Sequence, residues 1–116
     1  MKAFDLAAGS GVPAASPAPG VSVAVILAEG KAKMRRIELD AGSAIPPCQM
    51  SEDVVFVVLR GSVLVTAGAD EECVAAPGAA YIPGGATTRS LRALEPSLIL
   101  AVLCKGARED PSAANA

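Results

Sequence analysis

Short apolar runs separated by turn residues make up most of this chain, and no helical period longer than a turn appears in it. Val54 to Leu59, VVFVVL, has no polar side chain and lies between Asp53 and Arg60-Gly61. Its β-branched and aromatic residues, and a length short of an ordinary helix, predict a strand. Successive strand residues face opposite ways, so an unbroken apolar run predicts that both faces are covered. Val21 to Ala28, VSVAVILA, and Ser97 to Cys104, SLILAVLC, read in the same way. Lys33 to Leu39 mixes Met34, Ile37 and Leu39 with charges and predicts a half-exposed strand. After a reversal at Arg60-Gly61, Ser62 to Ala67 is expected as the hairpin partner of the central strand. Glu72 to Ala75 and Ala80 to Ile82 are short strands between turns, and Thr87 to Ala93 suits an edge or half-exposed strand. About eight or nine strands with turns roughly every 8 to 12 residues, and no helices, predict an antiparallel barrel or sandwich.

The two ends differ from this middle. Residues 1–20 are rich in Ala, Gly, Ser and Pro and are expected to form a flexible N-terminal arm, from which Lys2 to Leu6 could add a short edge strand. The β-barrel domain is placed at residues 21–104, and the polar residues 105–116 are expected to be a disordered C-terminal tail.

Composition narrows the function classes. A chain of 116 residues, 52% apolar and 19% charged, has room for one globular domain. The net charge of −2 gives no electrostatic case for nucleic acid or an anionic membrane. Trp is absent, Tyr81 is alone, and Phe4 and Phe56 are the only phenylalanines, so no aromatic platform exists for stacking bases or sugars. Histidine is absent, which removes the commonest general base and metal ligand at neutral pH. Cys48, Cys73 and Cys104 are an odd number at wide spacing and read as reduced thiols. The first residues lack the continuous apolar segment of a signal peptide, and no run approaches the roughly 20 apolar residues of a membrane helix. These features predict a cytoplasmic protein.

The segment Gly42 to Gly61, GSAIPPCQMSEDVVFVVLRG, resembles the first motif of the small single-domain cupins, in which Gly and Pro lead to a His-x-His pair, a Glu and an apolar strand closed by Gly. Counted back from Gly61, the family's two histidines fall on Cys48 and Met50, and its metal-binding glutamate falls on Val54. Residues 77–92, PGAAYIPGGATTRSLR, resemble the second motif: Ile82-Pro83-Gly84-Gly85 matches its core, the third histidine falls on Thr88 and the closing Asn on Arg92. The resemblance covers about a third of the chain. It implies an all-β, antiparallel double-stranded β-helix, the cupin jelly-roll barrel, with its metal-ligand positions substituted.

The expected ligand pocket is lined by Cys48, Met50, Val54, Phe56, Tyr81, Thr88 and Arg89, with no catalytic residue, cofactor or metal assigned. Cys48 and Met50 are two apart and point the same way in an extended chain. A thiolate and a thioether suit Cu(I), with Cys104 as a third ligand, or else the pair packs a former hard-metal site with soft apolar side chains. Thr88 and Arg89 offer hydroxyl and guanidinium donors for a small anion. The alternative is that Arg89 and Arg92 are solvated edge-strand charges, and Glu52 and Asp53 are expected to be exposed loop charges.

A metal-free binding or sensing barrel for a small metabolite is therefore expected. The alternative is a histidine-free, metal-free or soft-metal cupin enzyme acting through Cys48 or Tyr81. For Cys48, the base that would activate a thiol is lacking. Three strands apolar on both faces exceed what one small interior can cover, so a homodimer is expected to bury the remainder.

Overall fold

The computed structural model describes residues 1–85 and 87–105, and all regular structure among them is β. Ten strands form: β1 (Val12–Ala14), β2 (Val21–Glu29), β3 (Ala32–Leu39), β4 (Ala44–Cys48), β5 (Asp53–Arg60), β6 (Ser62–Ala67), β7 (Asp70–Ala75), β8 (Gly78–Ile82), β9 (Arg89–Ala93) and β10 (Ser97–Cys104). They make a six-stranded sheet, β1-β2-β3-β10-β5-β8, and a four-stranded sheet, β4-β9-β6-β7, with antiparallel pairing throughout. No helix among the described residues is long and apolar enough to cross a membrane. The expected tail falls mostly outside the described residues.

Alternation along the strands decides what faces inward. In β5 Val54, Phe56 and Val58 are buried while Val55 and Val57 are half-buried. In β10 Ile99, Ala101 and Leu103 pair with the inward residues of β5 and β3. From the four-stranded sheet, Val63, Val65, Leu91 and Ala93 complete one core between the sheets. The prolines obey the same geometry. Pro13 lies in β1, and Pro46 and Pro47 in β4, and both strands are sheet edges, where a missing N–H leaves no ladder bond unmade.

Four expectations need correction. Ser62 to Ala67 is not the hairpin partner of the central strand: β6 pairs with β7 and β9 in the opposite sheet. Gly61 is the corner between the sheets, with φ of +85° and with the Pro96 carbonyl and Ser97 hydroxyl where a Cβ would stand. That close approach turns the chain across the core instead of back along its own sheet. The segment Thr87 to Ala93 is not at an edge, because β9 is held between β4 and β6. The sheet also starts before residue 21, since Val12–Ala14 pairs with β2. Glu52, expected to be an exposed loop charge, is buried in the bend just before β5.

The outer face of the large sheet is partly covered within the single chain. Arg36 stands on that face, 3% exposed, and its Nε donates to the Ser10 carbonyl at 2.9 Å while Nη1 pairs with Glu38. Gly11 lies against Ile26 and Ala24, and Lys2 pairs with Glu29. Ala24, Leu98 and Leu100, all outward-facing by register, are buried without a second subunit. The outward residues of β5 and β8 remain more open, with Leu59 and Tyr81 exposed.

Candidate functional site

Between the sheets lies a cavity of about 400 Å³. Its walls come from Val23 and Val25 of β2, Ile37 of β3, Val54 and Phe56 of β5, Leu91 of β9, and Ala101 and Leu103 of β10. Ile45 and Cys48 of β4, with Met50 just beyond, border it from the smaller sheet, and Ala14, Ala15 and Pro17 from the N-terminal segment. These walls are largely apolar because each strand presents every second residue inward, and most of those residues are Val, Ile, Leu, Phe and Ala. The charged residues of the lining are Arg35 and Arg89, and no carboxylate joins them.

Arg89 is 3% exposed, which overturns its reading as a solvated edge charge. The cause is register: Arg89, Leu91 and Ala93 occupy the inward positions of a central strand, opposite Ala67, Val65 and Val63. Its Nη1 donates to the Glu52 carbonyl at 2.9 Å. Its Nη2 is shielded from solvent and has no hydrogen-bond partner. Burying a guanidinium is costly unless its donors are met, so this orphan is the most informative polar atom of the site. The Glu52 carboxylate faces Lys33, with 3.3 Å between Oε2 and Nζ, a Coulombic contact that lacks hydrogen-bond geometry. Arg35 lines the cavity from β3 and makes no hydrogen bond or ion pair among the described residues.

Of the residues expected in the pocket, Cys48, Met50, Val54, Phe56 and Arg89 share this lining. Cys48 and Arg89 are direct cross-strand partners, and Cys48, an exposed residue, marks the mouth. Tyr81 and Thr88 lie outside it. Tyr81 pairs with outward-facing Val55 while its neighbour Ile82 takes the inward place opposite Val54, since one step along a strand changes the face. Tyr81 is 58% exposed and lines a separate depression with Asp70, Glu71 and Glu72. Thr88 is exposed, its hydroxyl 3.4 Å from the Gln49 amide and its carbonyl accepting from the Gly68 amide. Arg35 was missed in the sequence. The signal was present: it sits two residues before Ile37, and so on the same face.

The donor set does not fit the hard metal that the motifs imply. Of the positions matched to ligands, Val54 has no donor atom and Thr88 stands outside the lining, while two arginines add positive charge to the cavity. Cys104, considered as a third sulfur ligand, is exposed and is not part of the lining. Among the described residues no group of three His, Cys, Asp or Glu is placed to hold an ion.

Two facing antiparallel sheets enclosing a ligand-sized cavity define a small jelly-roll barrel. Its fold is that of the cupins. An RmlC-like cupin from Shewanella frigidimarina superposes with a TM-score of 0.75 at 10% identity, over 94% of this chain and 96% of that one. A predicted oxalate decarboxylase from Thermotoga maritima gives 0.74 at 18% identity, over 88% and 99% of the two chains. KdgF from Halomonas sp. gives 0.70 at 21% identity, over 76% and 81%. No family model matches the sequence, and neither does any curated protein.

Proposed function

We propose that this protein is a binding barrel, a cytoplasmic container or sensor that holds one small metabolite between its sheets. The observation that carries the reading is the cavity of about 400 Å³, to whose walls every strand that reaches it contributes apolar side chains. Such a volume lies toward the small end of ligand pockets, and apolar walls with a few polar groups are the usual composition of such sites. A neutral fluorescent probe, N-phenyl-1-naphthylamine, tests it. Its emission should rise with the native protein, and Ala101→Phe, which fills the cavity from β10, should abolish the rise while the variant still melts cooperatively. No enhancement, or enhancement equal in both proteins, defeats the reading.

Catalysis through Cys48 is the rival, supported by the position of its thiol at the mouth opposite Arg89. Cys48, Cys73 and Cys104 are all exposed, so a container predicts comparable labelling rates for the three. A Cys48 that reacts far faster at neutral pH favours the enzyme. The container is proposed to act as a homodimer joined through the outer side of β5 and β8, where Leu59 and Tyr81 are exposed.

A further inference from the structure

We infer that the cavity recognises an organic acid, whose carboxylate lies between Arg35 and Arg89 while its apolar body fills the remaining space. The inference rests on the barrel being a container and adds the chemical class of its occupant. A guanidinium has five N–H donors and does not lose its proton, so it cannot escape burial by becoming neutral. Arg89 is 3% exposed and spends Nη1 on the Glu52 carbonyl, which leaves Nη2 buried and unpaired. Arg35, on the facing sheet, has no ion-pair partner among the described residues. The neighbouring charges cancel, since Lys33 faces Glu52 and Arg36 pairs with Glu38. Two positive charges on the cavity wall are thus unmatched. Arg35 lies across from Ala101, whose methyl group leaves room beside it, and Ala101 lies across from Phe56.

A planar carboxylate matches the fork of an arginine and needs few further donors. A phosphate has more charge and more acceptor oxygens, and is held elsewhere by lysines or runs of backbone N–H groups. This lining has no lysine, and the rest of its wall is mainly Val, Ile, Leu and Phe. An acid with a hydrocarbon body fits both parts of the wall.

Calorimetric titration of the full chain with hexanoate, hexanamide and inorganic phosphate tests this. Hexanoate should bind, and hexanamide, of the same shape without the charge, at least about tenfold more weakly. Arg35→Met keeps an unbranched side chain on the half-buried position and should weaken hexanoate by at least about tenfold, and hexanamide, which lacks the charge, by clearly less. Arg89→Lys keeps the charge without the fork and should also weaken hexanoate, which guards against a variant that misfolds through loss of a buried cation. Hexanamide binding as tightly as hexanoate overturns the inference, as does phosphate binding more tightly than hexanoate. Failure of all three probes in a protein that still brightens the neutral dye also overturns it, and leaves the container reading standing.

Discussion

At the scale of the residue, Val54 and Val58 make a controlled pair. Both are 1% exposed and both face inward from β5, yet only Val54 shares the cavity with Arg35 and Arg89. A carboxylate buried without a partner is heavily penalised, and one that meets a guanidinium is penalised less. Val54→Glu is therefore expected to destabilise less than Val58→Glu in urea unfolding. Equal losses would mean that the two arginines are out of reach of the cavity wall at β5. Leu91, 1% exposed and part of the same wall, gives a second measure. Leu91→Ala should cost about 2–5 kcal/mol, through lost burial and an enlarged cavity. Smaller losses would indicate that β9 collapses onto the space.

Turns and close approaches between elements carry the next level of organisation. Gly61 and Gly30 both have positive φ, but a Cβ at Gly30 meets open space while at Gly61 it meets the Pro96 carbonyl and Ser97. Gly30→Ala should cost about 1 kcal/mol from the backbone alone. Gly61→Ala must in addition move the corner between the sheets, and should cost clearly more in the same denaturation assay. Gly84 is constrained differently: its Cβ would overlap the Ser51 carbonyl, and its N–H donates to Asp53 at 2.7 Å. The loop after β8 is thereby fastened to the start of β5, beside the Glu52 carbonyl that receives Arg89. Gly84→Ala is expected to lower the melting temperature and to weaken ligand binding together. Normal binding at a lowered melting temperature would separate the loop from the site.

For the whole molecule, the balance between cover supplied by the chain itself and cover supplied by a partner is open to measurement. Ser10 accepts from Arg36 and Gly11 lies against Ala24, so removal of residues 1–11 would expose the buried Arg36 and the apolar residues around it. A chain lacking residues 1–11 should melt at a lower temperature and self-associate more strongly, because its outer sheet face gains wet apolar surface. Light scattering on the intact chain should give a mass near twice 11.5 kDa if β5 and β8 join two copies. A monomer at micromolar concentration would show that the segment before β2 supplies cover enough.

The strands were legible in the sequence because their side-chain period is local. Val54 to Leu59 declares a strand through its own composition, although its outward residues are half-buried or exposed, and Ser97 to Cys104, buried on both faces, does likewise. Cys48, Met50, Val54, Phe56 and Arg89 line the cavity; motif position points to Cys48, Met50 and Val54, whereas Arg89 stands out in the sequence only as a neighbour of Thr88. Pairing across the sheets was not legible. Nothing local distinguishes a hairpin at Gly61 from a corner, because the deciding contacts come from Pro96 and Ser97, far along the chain. Tyr81 and Ile82 could exchange faces by one step of register, and only the ladder between β5 and β8 sends the tyrosine outward. Arg89 reads as an edge charge until β4 and β6 close on both sides of it. Apolar pattern and turn chemistry fix which segments become strands, because those preferences act over neighbouring residues. Which strands meet, and so which charges are buried against the cavity, depends on contacts distant in sequence and is decided only when the two sheets close.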